Sequence, residues 1–189
     1  MVFRIRPVAP ADDAAMAAII RASLREHGLA LPGTAYFDSE LDHLSTFYDA
    51  DDRRAYFVAA DDAEHVVGGC GIAEFAGAVD VANATSGSAN TTNGATDTDS
   101  SGSSTAELQK LYVSPEAQGH GLAHRLIAKA ERFARNAGYR QLYLETHHNL
   151  QAAVHLYRTL GWQGLDDPLP GSLHGTMDIF MSKQLDKDA

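Results

Sequence analysis

The stretch Leu111-Tyr112-Val113-Ser114-Pro115-Glu116-Ala117-Gln118-Gly119-His120-Gly121-Leu122-Ala123-His124-Arg125-Leu126 runs from an apolar segment through a turn into a helix. Its first part extends back to Glu107 and reads as a strand, Glu107 to Val113. Its last part opens a helix to Ala137, with Leu122, Leu126, Ile127, Ala130, Phe133, Ala134 and Ala137 on one face and Gly138 as the stop. Gly119 and Gly121 fall where the loop becomes the helix. Without Cβ atoms they let the backbone come close to a ligand, and the unpaired amides of the first turn, with the helix dipole, face an anion such as a pyrophosphate. Taken alone, the two glycines serve a tight strand-to-helix turn equally well.

Elements of both kinds lie on either side. Downstream come a strand Tyr139–Glu145 with Leu142 and Leu144 inward, a helix Leu150–Leu160 ended by Gly161, and a final strand Met177–Met181. Upstream, Phe3–Val8 alternates like a half-buried strand limited by Pro7, and Pro10-Ala11-Asp12-Asp13 starts a helix carrying Met16, Ile19, Ile20 and Leu24 up to Gly28. A second helix is expected between Thr34 and Asp52, with Leu41, Leu44 and Tyr48 at helical spacing. Ala55–Ala60 and His65–Ala73, separated by Asp61-Asp62-Ala63-Glu64, predict a hairpin. The class is α/β with a mixed sheet. Residues 83–105 contain only Ala as an apolar residue and are expected to form a mobile insert between two strands.

Length and charge narrow the partners. A chain of 189 residues suits one domain, here 1–189. Fifteen Lys and Arg against 25 Asp and Glu give a net charge of -10, which disfavours nucleic acid and anionic membrane surfaces as partners. The single Cys70 cannot form an internal disulfide, the opening Met1–Arg6 lacks a secretory apolar core, and no stretch approaches a membrane span, so a cytoplasmic location is expected. His120 and His124 are spaced like zinc ligands but have no third partner at metal spacing, so no metal is expected. Gly68-Gly69-Cys70-Gly71 is followed by no helix and reads as a bulged or closely packed strand with an inert, buried Cys70.

The segment Gln118-Gly119-His120-Gly121-Leu122-Ala123 matches the Q/R-x-x-G-x-G/A motif of the GCN5-related N-acetyltransferase (GNAT) superfamily, and Ala153-Val154-His155-Leu156-Tyr157-Arg158-Thr159-Leu160-Gly161-Trp162 resembles its A-x-x-L-Y-x-x-x-G-F segment, with Trp162 for Phe. Ile5-Arg6-Pro7 with Asp12-Asp13 resembles the first strand and helix of that family, so the likeness spans nearly the whole chain outside the insert. Glu107–Tyr112, Tyr143-Leu144-Glu145-Thr146 and the tail from Gly171 to Met181 with His174 are similar to a subgroup of small bacterial members.

The resemblance implies a mostly antiparallel sheet whose middle strands, ending at Val113 and Glu145, splay to admit acetyl-CoA. The amides of Gly119, His120, Gly121, Leu122 and Ala123, with Gln118, would hold the pyrophosphate, and the backbone of Leu111, Tyr112 and Val113 would pair with pantetheine. Tyr157 takes the position that protonates the departing thiolate. A phenol with a reference pKa near 10 is protonated at neutral pH and suits that role. Glu107 is the first candidate for the base, Glu145 the second, and His147, His148 and His174 are further candidates; Glu145 and His174 are also expected at the acceptor. Many members carry an Asn seven residues before the Tyr, where this chain has Leu150, with Asn149 one residue early. The implied reaction is acetyl transfer to a primary amine through a ternary complex, with a homodimer left open. A non-catalytic acyl-CoA sensor is the alternative.

Overall fold

The computed structural model describes residues 2–75, 104–172 and 175–185. Within them lie β1 (Arg4–Pro7), α1 (Asp13–Glu26), α2 (Leu44–Asp49), β2 (Ala55–Ala60), β3 (Val66–Glu74), β4 (Thr105–Val113), α3 (Leu122–Asn136), β5 (Gln141–Thr146), α4 (Gln151–Thr159), β6 (Gln163–Leu165) and β7 (Ile179–Gln184). The strands form one sheet in the order β1-β2-β3-β4-β5-β7-β6. Every neighbour is antiparallel except β4 and β5, which are parallel.

Alternation along the strands divides the core into two layers. Leu108, Leu142 and Leu144 point to the face covered by α3, where Leu126, Ile127 and Ala130 are buried. Tyr56, Val58 and Ala73 point to the other face, covered by α1 through Met16, Ile20 and Leu24 and by α2 through Leu44 and Tyr48. Polar ties fix the helices. Asp12 accepts from both terminal nitrogens of Arg6 (2.6 and 2.9 Å) and from the Ala9 amide (2.8 Å). Asp13 accepts from the Ser45 amide and hydroxyl at 2.8 and 2.6 Å, joining the start of α1 to α2. On the other face Lys183 of β7 donates to Glu131 of α3 at 2.6 Å.

Several elements differ from the sequence reading. The second helix breaks into 3-10 turns at Ala35–Phe37 and Leu41–His43 followed by the six residues of α2. The last strand runs Ile179–Gln184 rather than Met177–Met181, and β6 pairs along its edge. Tyr139 precedes β5 and closes the end of α3, its amide bonded to Ala134 O at 3.0 Å. Thr105, placed in the insert by composition, is buried and begins β4, and Ser104 O accepts from the amides of Arg140 and Gln141. The rest of that insert lies outside the described residues. Gly69 and Gly71 of β3 lie against the rings of Tyr56 and Tyr48, leaving no room for a side chain. The glycine run is therefore a packing surface, with Cys70 fully buried beside it.

Candidate active site

The site grows out of the way β4 meets its neighbours. β4 pairs with β5 at Thr105, Ala106 and Glu107, opposite Gln141, Leu142 and Tyr143, and the register ends there. Among the described residues, the β5-facing edge from Leu108 to Val113 has no strand partner. Against β3 the register jumps: two steps from Gly69 to Gly71 face three steps from Tyr112 to Gln109, so β4 holds one extra residue. Lys110 sits in that bulge with φ 50, a left-handed conformation strained for a residue with a Cβ. The Tyr56 hydroxyl donates to Lys110 O at 2.8 Å. The Lys110 ammonium lies 2.6 Å from Asp38 and 3.1 Å from Glu40, its side chain only 4% exposed. Burial alone would lower its pKa; the two carboxylates outweigh that and raise it, so the lysine stays charged.

A groove of about 510 Å³ opens along the free end of β4. Leu111, Tyr112 and Val113 form one wall, Gln118, Gly119, Gly121, Leu122 and Ala123 its end, and Leu150, Ala153 and Leu156 at α4 the opposite wall, with Ser23, Glu26 and His27 from the end of α1. Gly119 and Gly121 have φ 76 and 68, and a Cβ on either would project into open space. The ladder of α3 begins with Arg125 N–H to Gly121 O at 3.1 Å, so the N–H groups of Leu122, Ala123 and His124 lie ahead of it, as at any helix start. This geometry fits a pyrophosphate. The Gln118 side chain donates to Val113 O at 3.2 Å and closes the turn. His120 does not line the groove: its Nδ1–H donates to Gln118 O at 2.9 Å and its ring stands edge-on to Phe3, so its side chain is turned away from the helix start. Asn149 donates to His27 O at 3.0 Å, tying α4 to α1, while Leu150 faces the groove.

Tyr157 is buried on α4, 5.8 Å in ring separation from Trp162. Burial first, and then the neighbouring Cys70 and Tyr112, raise its hydroxyl pKa far above the ordinary range, which keeps it protonated. It does not line the groove, although Ala153 and Leu156 on the same helix do.

On the other side of the fork a second cavity of about 480 Å³ is lined by Asp38, Glu40, Glu107, Gln109, Lys110 and Glu145, with Phe37, Phe47, Phe75 and Arg54 around them. Glu107 is buried and accepts from Gln109 Nε2 at 2.8 Å, whose Oε1 accepts from the buried Tyr48 hydroxyl at 2.8 Å. Burial, then the charge of Glu107, raises the Tyr48 pKa and holds that hydroxyl as a donor. Glu145 accepts from the Tyr143 hydroxyl at 3.0 Å. The fork thus brings the two carboxylates singled out in the sequence to one cavity. His174 lies outside the described residues.

The remaining histidine candidates form a separate cluster. His147 Nε2 is 3.8 Å from Asp178, and His148 bonds Asp178 through both its amide (2.9 Å) and Nδ1. These three could ring a cation. However, His147 Nδ1 accepts from the Asn149 amide at 3.1 Å, which puts the ring proton on Nε2. In that tautomer Nε2–H points toward Asp178 and has no lone pair for a metal.

A family model described as "Acetyltransferase (GNAT) family" matches residues 18–162. The chain belongs to this family. GNAT enzymes use acetyl-CoA as acyl donor, and this chain is accordingly an acetyltransferase of the GNAT class. It is 34% identical over 175 residues to a protein of Escherichia coli (strain K12) named "Uncharacterized N-acetyltransferase YjgM", covering 92% of this chain and 90% of that one. Among solved structures, a GNAT acetyltransferase from Staphylococcus aureus Mu50 superposes with a TM-score of 0.75 at 13% identity, covering 98% and 100% of the two chains. YncA from Salmonella typhimurium, solved with its cofactor acetyl-CoA, gives 0.65 at 20% identity over 100% and 97%. The GNAT fold is thereby shown, with its open, mostly antiparallel sheet and flanking helices.

Proposed function

We propose that this enzyme transfers the acetyl group of acetyl-CoA directly to a primary amine, with both substrates bound at once on opposite sides of the fork between β4 and β5. One observation carries this reading. After Glu107 and Tyr143 the strands part, and the free stretch of β4 borders the phosphate-fitting groove at Val113 and the carboxylate cavity at Gln109 and Lys110.

In this reading the N–H groups of Gly119 to Ala123 hold the pyrophosphate and the main chain of Leu111 to Val113 pairs with the pantetheine arm. The bound thioester supplies an acetyl carbon open to attack. Glu107, directly or through a water, takes a proton from the acceptor ammonium, and the freed nitrogen lone pair attacks that carbon. As the amide C–N bond forms and the C–S bond breaks, the Tyr157 hydroxyl gives its proton to the departing sulfur. Dry surroundings that disfavour a tyrosinate also disfavour a thiolate beside it, so the raised pKa of Tyr157 does not forbid the transfer. Solvent then restores both groups. Holding amine and thioester in one geometry supplies the larger part of the acceleration.

The full chain acts as one catalytic domain. No helix among the described residues is long and apolar enough to cross a membrane.

The test is calorimetry with CoA followed by a thiol-release assay with acetyl-CoA over a panel of primary amines. Saturable CoA binding and amine-dependent thiol release are expected. CoA binding without release for any amine would overturn the catalytic reading in favour of a sensor; no CoA binding would overturn the groove assignment.

A further inference from the structure

A chain of two hydrogen bonds runs from the buried end of α2 to Glu107. Tyr48 packs against Tyr56 with ring centroids 5.2 Å apart and does not line the second cavity, whereas Gln109 and Glu107 do. Its ring lies over Gly71 of β3, where a Cβ would come within 2.4 Å of the hydroxyl oxygen. Gly71 is paired with Gln109 of β4, so a position with no room for a side chain is what lets the Tyr48 hydroxyl reach Gln109 Oε1 at 2.8 Å. Gln109 Nε2 in turn donates to Glu107 Oε2 at 2.8 Å. The direction of the chain is fixed by its two ends. A carboxylate only accepts, so the amide turns its NH2 to Glu107 and its carbonyl to a donor, which is the Tyr48 O–H. Burial, then the charge of Glu107, keeps that hydroxyl protonated. Tyr48 thus pins the amide in the orientation that gives Glu107 a donor; a phenylalanine would fill the same space and pin nothing.

We infer that Tyr48 and Gln109 are positioning residues for the proton abstraction: together they hold one oxygen of Glu107, so that the carboxylate meets the acceptor amine in a single orientation. This rests on the reading of Glu107 as the base. A carboxylate free to turn would spend less of its time within reach of the ammonium, and the cost falls on the chemical step rather than on the binding of acetyl-CoA.

The test is a set of double-mutant cycles on kcat, with acetyl-CoA and the amine that gives the highest kcat/KM in the thiol-release panel. Tyr48→Phe should lower kcat about five- to tenfold and leave the acetyl-CoA KM unchanged. Gln109→Leu should do the same, and adding Tyr48→Phe to it should cost no more. In the Glu107→Gln background neither change should move kcat by more than about twofold. CoA calorimetry on each variant reports that it folds, and the half-buried Gln109 carries the comparison if Tyr48→Phe does not. Wild-type kcat in Tyr48→Phe beside a slow Glu107→Gln would overturn the inference and leave Glu107 as the base. Equal losses with and without Glu107 would also overturn it, since a role confined to packing is additive. A Glu107→Gln enzyme as fast as the wild type would overturn the assignment of the base, and the inference with it.

Discussion

Glu107 and Tyr143 are the last residues in register between β4 and β5, and everything the site needs follows from their being last. Beyond them the parallel pair opens, and Tyr143 turns its hydroxyl to Glu145 while Glu107 receives Gln109.

Tyr157→Phe removes one hydroxyl and leaves the ring against Trp162. Turnover is expected to fall by about a hundredfold with CoA affinity unchanged in calorimetry. Because burial raises the tyrosine pKa, the wild-type rate should show no alkaline decline assignable to Tyr157 up to the limit of protein stability. An unaltered kcat in the variant would remove Tyr157 from the mechanism.

Gly121→Ala tests the cradle through its backbone alone. An added Cβ meets no atom within 4 Å, so its cost comes from φ 68, about 1 kcal/mol of strain, and from methyl bulk in the groove. CoA affinity should drop roughly tenfold by calorimetry, a larger effect than any change in the urea midpoint would explain.

Lys110→Met leaves Asp38 and Glu40 facing each other without their cation. Removal of one partner from a buried ion pair costs about 3 kcal/mol, and denaturant titration should find a loss of that order. Lys110→Arg keeps the charge but not the compact ammonium, and should recover only part of it. The amine KM should rise in either variant more than the acetyl-CoA KM, because Asp38 and Glu40 wall the second cavity.

Asp12 gives a pH signature. Hydrogen bonds from Arg6 are the leading cause that lowers its pKa, with burial opposing and the Ala9 amide adding to the lowering. A depressed carboxylate stabilises the fold fully above its unfolded value of about 3.9, and that contribution disappears as pH falls through the lower folded value. Stability should therefore decline below about pH 4, and Asp12→Asn should flatten that decline while costing on the order of 1 kcal/mol near neutrality. Urea midpoints between pH 3 and 7 measure both.

The phosphate-fitting half of the site was readable because its parts are contiguous: a strand, two glycines and a helix start within sixteen positions. β2 matched its continuous apolar run residue for residue, and α3 followed its apolar stripe to Asn136. The carboxylate-lined half was not readable as a unit, since Asp38, Glu107 and Glu145 come together only in the folded chain. The consecutive polar pair Gln109-Lys110 inside a strand was the one local hint of a bulge, because two neighbours cannot both face solvent in a regular pleat. β7 runs past its apolar stretch for a similar reason: its polar end Ser182-Lys183-Gln184 breaks the apolar pattern, and Lys183 is accommodated by Glu131 across the layer. β6, three residues with two exposed, carries no periodicity to detect.

Gln118 and His120 direct their side chains back onto Val113, Gln118's own carbonyl and Phe3, so at these two positions it is the main chain that is left to face an anion. Such a grip is nearly blind to spelling. Saturation mutagenesis at His120 should return many working clones, at Gly119 and Gly121 few, and drift in this loop can reshape the outer surface without touching what the coenzyme feels.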